Sequence, residues 1–95
     1  MAWETTEAAS TDLSDIALAS TLQFGLPQSR SYVRRLIAMF ETLAENPKMA
    51  PLRQSSSGLV RMMPCQSHHI VYREEGDDIA ILRVLHHSQS WPDEI

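Results

Sequence analysis

The sequence predicts an α+β fold in which a helical hairpin packs on one face of a small antiparallel sheet. Three observations carry this. Two apolar stripes at helical spacing are separated by a short link, three strand-like runs follow them, and Glu75-Gly76-Asp77 forms a turn between the last two runs. Helices that precede a block of strands build a layered domain and not an alternating parallel sheet.

Ala2 to Thr5 reads as a short opening strand. Thr6 is then a suitable N-cap, and Glu7 places negative charge in the first helical turn, where the helix dipole favours it. Ala9, Leu13, Ile16, Ser20 and Phe24 fall on one face at i, i+4, i+7, i+11 and i+15, so a first helix is expected from about Glu7 to Leu22. Gly25 suits a C-cap, and Pro27 a first helical position. A second helix follows, with Val33, Leu36, Ile37, Phe40, Leu43 and Ala44 on one side and Arg34, Arg35 and Glu41 off it. Asn46-Pro47 ends it, because proline restricts the residue before it and donates no hydrogen bond. The short link makes the two helices an antiparallel pair.

Lys48 to Gly58 has the proline, serine and glycine of an exposed, mobile loop, and Ser55 to Ser57 reads as linker. Three strands are expected after it: Leu59 to Cys65, His68 to Glu74, and Asp78 to His86. The last two form a β-hairpin, on their β-branched and aromatic residues and the Gly-Asp turn. Pro64 puts the end of the first of these at an edge or a bulge. Residues 88–95 form a tail without periodicity, which Trp91 would anchor by packing. The order is β-α-α-β-β-β in a single domain over residues 1–95, with the sheet face away from the helices left open.

Length and composition set the class. Ninety-five residues suffice for one modest core, and 43% hydrophobic with 21% charged residues is ordinary for a folded protein. One cysteine forms no internal disulfide and no secretory signal follows Met1, so a cytoplasmic protein is expected. No apolar run approaches the roughly 20 residues needed to span a bilayer. Eight Lys+Arg against twelve Asp+Glu, a net charge of −4, argue against a broad nucleic-acid footprint and favour a protein partner.

The stretch HHIVYREEGDDIAILRVLHH poses the main chemical question. Cys65, His68, His69, His86 and His87 are zinc-type ligands, but strand alternation sends His68 and His69 to opposite faces, as it does His86 and His87 if the strand runs that far. The spacing matches no paired-ligand pattern, so no metal site is assigned. A catalytic reading would use His86 or His87 as general acid/base, with Arg61, Arg73 and Arg83 facing a phosphate. The same arginines on an open sheet face suit a carboxylate-rich protein segment. Met39, Met62 and Met63 are read as core, and Arg34 and Arg35 as a solvated helix face.

The chain also resembles the ParE branch of the RelE/ParE superfamily, toxins of type II toxin–antitoxin modules. The resemblance rests on Ala9, Asp12 and Leu13 in the first helix and on Leu43-Ala44-Glu45-Asn46-Pro47 closing the second. It continues with Arg61, Pro64, His68, Ile70, Tyr72 and Arg73, and then with Arg83, Val84, Leu85 and His86. It implies a RelE/ParE-like β-α-α-β-β-β fold, inhibition of DNA gyrase, neutralisation by a ParD-like antitoxin in a hetero-oligomer, and no enzymatic activity or cofactor. Arg61, His68, Tyr72, Arg73, Arg83 and His86 would form the antitoxin-binding or functional sheet face, with exposed parts of both helices joining the contact. The RelE branch implies the alternative of a ribosome-dependent mRNA endoribonuclease, with His86, Arg61 and Arg83 as its catalytic candidates. Net acidity favours the gyrase branch. Where ParE relatives carry Met-Asp after the Leu-His, this chain has Gln89-Ser90.

Overall fold

The computed structural model describes residues 1–89. The elements are β1 (Trp3–Thr5), α1 (Glu7–Phe24), α2 (Leu26–Glu45), β2 (Leu52–Ser55), β3 (Gly58–Cys65), β4 (His68–Glu75) and β5 (Asp78–His86). The strands form one sheet in the order β1-β5-β4-β3-β2, with the two helices packed on it. The α+β class and the helical hairpin are as expected. Trp91 and the end of the tail lie outside the described residues.

Both helix starts follow from local chemistry. The Thr6 hydroxyl accepts the Ala9 amide at 3.1 Å, which satisfies one of the donors a helix start leaves unpaired. Gly25, at φ 90°, serves as C-cap of α1 and N-cap of α2. A side chain with a Cβ rarely adopts that backbone conformation, so one glycine lets the chain reverse between two long helices.

Two differences from expectation are connected. Leu52–Ser55, read as loop, is a strand paired antiparallel to β3, and the serine run is its hairpin turn. Ser55 is buried; its hydroxyl donates to the Gly58 carbonyl at 2.7 Å and accepts the Ser57 amide at 3.1 Å. The strand escaped notice because three of its four residues are exposed, leaving no alternation to detect. Its presence also explains why β1 pairs parallel to β5, making the sheet mixed and not purely antiparallel. The helical hairpin returns the chain to where β1 ended, and four alternating passes leave the last strand in the direction of the first. Three passes would have left it opposed.

The main core joins Leu36, Phe40, Leu43 and Ala44 of α2 and Ala9 and Ile16 of α1 to Ile70, Tyr72, Ile79, Ile81 and Val84 of the sheet. Trp3 packs edge-on against Phe40, ring centres 5.1 Å apart. The stripe expected on α1 holds only through Ile16, since Phe24 at its end is exposed. The opposite sheet face is not bare: Val60, Val71 and Leu85 are buried there beside Met62 and Leu82.

Candidate functional site

A groove of about 490 Å3 lies between the C-terminal half of α1, the start of α2 and the adjoining ends of β4 and β5. Ile16, Ala19 and Phe24 give it an apolar wall, and Tyr32, His68 and His86 a polar one. The strand register creates that polar wall. His68 pairs with His86 across β4 and β5, and their rings stand edge to face 5.2 Å apart.

Tyr32 organises the site. Its hydroxyl accepts the Ser67 amide at 3.0 Å and lies 2.6 Å from His68 Nδ1. With one lone pair occupied by the amide, we assign the tyrosine proton to the bond with Nδ1, which leaves the ring hydrogen of His68 on Nε2. Gln66, at φ 57°, makes the turn between β3 and β4 and donates through its side chain to the Tyr32 carbonyl at 3.0 Å. Burial, aided by repulsion from His86 and His87, lowers the His68 pKa to about 4, so the ring is neutral at physiological pH. His86 Nδ1 accepts the Ser88 amide at 3.2 Å, and the Gln89 side chain accepts the His86 amide at 2.6 Å.

His68 and His69 point to opposite faces, as alternation requires, whereas His86 and His87 depart from it. His69 pairs with Leu85, next to the small cluster on the far face. β5 ends at His86; the His87 amide still donates to the Ser67 carbonyl at 2.9 Å, and its ring approaches that of His86 to 4.3 Å. The expected separation of that pair does not occur. Among the described residues, no group of three or more His, Cys, Asp or Glu side chains is placed to hold a metal ion. Cys65 is buried, and desolvation raises its thiol pKa.

The remaining candidate residues do not join this groove. Arg61 and Tyr72 are register partners near the opposite end of the sheet, four residues along β4 from His68, roughly 13 Å. Arg61 contacts Glu74 at 3.2 Å and donates to the Ala50 carbonyl at 2.7 Å; Tyr72, fully buried, donates to the Pro47 carbonyl at 2.8 Å. Together they fasten the segment after α2 to the sheet. Lys48 and Arg61 hold the Glu74 carboxylate below its usual pKa. Arg73 is half exposed and pairs with Glu75 at 2.9 Å.

Arg83 makes a two-point contact with Asp12 of α1, at 2.7 and 2.9 Å, and Asp12 also accepts the Val84 amide at 2.9 Å. The β4–β5 ladder is irregular here: Val71 pairs with Arg83 but Tyr72 with Ile81, leaving Leu82 as an extra residue. This bulge turns Arg83 toward α1 while Val84 stays in the core. Sequence reasoning gave no role to Tyr32 or to the Asp12–Arg83 pair. Tyr32 was legible as a core-side position, three residues after buried Ser29 and four before Leu36. The ion pair, 71 residues apart, left no local signal.

A second open surface lies on the helix-facing side of the sheet beyond the helices' reach. Leu52 and Leu59 share the face of Arg61, on β2 and β3, and with Met49 they are largely exposed. β2 is also a sheet edge.

Comparison with known proteins finds a match to the model of the ParE toxin of the type II toxin–antitoxin system parDE over residues 4–91. The chain is 35% identical over 82 residues to Toxin ParE1 of Caulobacter vibrioides, covering 86% of this chain and 84% of that protein. It is also similar in fold to a chain from a structure of the chromosomal ParDE TA system of P. aeruginosa. That likeness has a TM-score of 0.78 at 22% identity and covers 90% of this chain and 95% of the other.

Proposed function

Because this chain belongs to the ParE toxin family of type II toxin–antitoxin systems, we propose that it inhibits DNA gyrase by binding, without catalysis of its own. A ParD-like antitoxin neutralises it in a hetero-oligomeric complex in the cytoplasm. The family match over residues 4–91, which spans both helices and the whole β2–β5 sheet, carries this reading. A chain of net charge −4 suits a protein target better than a nucleic-acid one. No helix among the described residues is long and apolar enough to cross a membrane.

The antitoxin sits on the sheet surface that the helices leave uncovered. An extended segment along β2 would gain backbone hydrogen bonds from the sheet edge, while Leu52, Leu59 and Met49 receive its apolar side chains. Arg73 is half exposed on the central strand β4, on the sheet face opposite Leu52 and Leu59, so it meets an antitoxin carboxylate only where the segment also wraps to that face. His68 and His86 line the groove as a second seat. Arg61, Tyr72 and Arg83 act behind the surface, by holding the segment after α2 and by joining α1 to β5.

The endoribonuclease reading draws its support from His86 at the groove, but neither of its candidate arginines lines that groove. Arg61 lies at the other end of the sheet and Arg83 is engaged by Asp12. A supercoiling assay separates the two. Purified toxin should block gyrase supercoiling, and the product of the adjacent reading frame should restore it. Unimpaired supercoiling, together with translation-dependent transcript cleavage that disappears in His86→Ala, would overturn the gyrase reading.

A further inference from the structure

The groove beside His68 and His86 runs along α1 from Asp15 to Phe24, nine residues or about 14 Å of helix. Asp15 also lines a hollow of about 540 Å3 with Glu7, Thr11, Asp12 and Arg83, so the two depressions adjoin along one flank of α1. The ends of this flank differ in chemistry. Ala19 and Phe24, both exposed, make the end toward the Gly25 turn apolar, and the end toward the start of α1 is acidic.

Sign selects the occupant. Asp12 is matched by Arg83, but Glu7 and Asp15 form no ion pair among the described residues. Glu7 is partly offset by the positive end of its own helix; Asp15, two turns further in, is not. No Lys or Arg lines the groove, and His68 adds no positive charge because burial keeps it neutral. Backbone chemistry selects the shape. The amide and carbonyl of His86 are both engaged by Gln89, so the β5 edge here offers nothing to an extended segment. A helix, which satisfies its own backbone, is the form that fits.

We propose that this flank seats a basic amphipathic helix of the antitoxin, with its apolar residues against Ala19 and Phe24 and a Lys or Arg against Asp15. The assignment rests on the antitoxin reading above and specifies the segment that the groove takes. Asp15 and Ala19 are one turn apart, so a helix alongside α1 meets them with a base and an apolar residue at i and i+4. A long basic side chain suits both, since its methylene stem covers apolar surface while its charge reaches the carboxylate.

Isothermal titration of the full chain with the product of the adjacent reading frame, at low and high salt, tests this. Asp15→Arg should weaken binding roughly tenfold and flatten its salt dependence, because attraction becomes repulsion. Asp15→Glu should bind nearly as wild type, and Ala19→Trp, which fills the apolar end, should weaken binding without altering the salt dependence. Both positions are exposed, so thermal midpoints should hold, and gyrase inhibition by the free variants should be unchanged. An Asp15→Arg chain that binds as tightly as wild type would overturn the proposal. So would variants that keep the antitoxin but lose gyrase inhibition, since the flank would then belong to the target. A wild type that binds no antitoxin would instead overturn the underlying reading, which keeps the two failures distinct.

Discussion

At the scale of single residues, Asp12 ties α1 to β5, accepting two guanidinium contacts and a backbone amide from that strand. Replacing it with alanine strands a half-buried arginine and an amide at a bulge. Asp12→Ala should lower stability by about 2–3 kcal/mol, read as a shift in urea midpoint at constant slope. His68 yields a pH prediction whose sign follows from its depressed pKa. The unfolded chain binds a proton near the ordinary histidine pKa of 6.5 and the folded chain only near 4. Stability is therefore fully present above the unfolded value and falls progressively as pH drops from about 6.5 to 4. Allowing for the solvent that still reaches the ring, the loss should be about 1–2 kcal/mol. His68→Phe should flatten that part of the pH–stability curve, and a curve that keeps its slope would assign the titration elsewhere. Tyr72→Phe removes only the hydroxyl bond to Pro47 and should cost about 1 kcal/mol.

At the scale of elements, the helices and the central hairpin announce themselves because each has a period and a punctuation mark. α2 shows its buried stripe between Gly25 and Asn46-Pro47, and β4–β5 places runs rich in β-branched and apolar residues on either side of the Gly76 turn. β2 shows neither, since an edge strand exposed at three of four residues buries too little to select an apolar pattern. Its turn does depend on one residue: Gly58 holds φ 101°, a conformation that costs a side chain roughly 1 kcal/mol or more. Gly58→Ala should destabilise the β2–β3 hairpin by about that amount and raise hydrogen exchange there before the rest of the sheet.

At the scale of the whole molecule, the fold divides its surface among different tasks. The helices cover the middle of the sheet and leave Leu52 and Leu59 bare beside a free strand edge, where we place the antitoxin segment. Leu52→Glu with Leu59→Glu should weaken antitoxin binding at least tenfold by isothermal titration while leaving the thermal midpoint within a few degrees, because both side chains are already in water. The sequence by itself determined the α+β class, the two helices, the β4–β5 hairpin and the ordered residues that mark the ParE family. Those features rest on local periodicity, caps and turns, which neighbouring residues specify. Only the tertiary structure decided that β1 runs parallel to β5, that Asp12 grips Arg83, that Tyr32 hydrogen-bonds a His68 kept neutral by burial, and that the candidate residues divide among a groove, a strut and an edge. Each of these depends on residues far apart in the chain meeting through strand register and helix packing. No local pattern encodes where they meet.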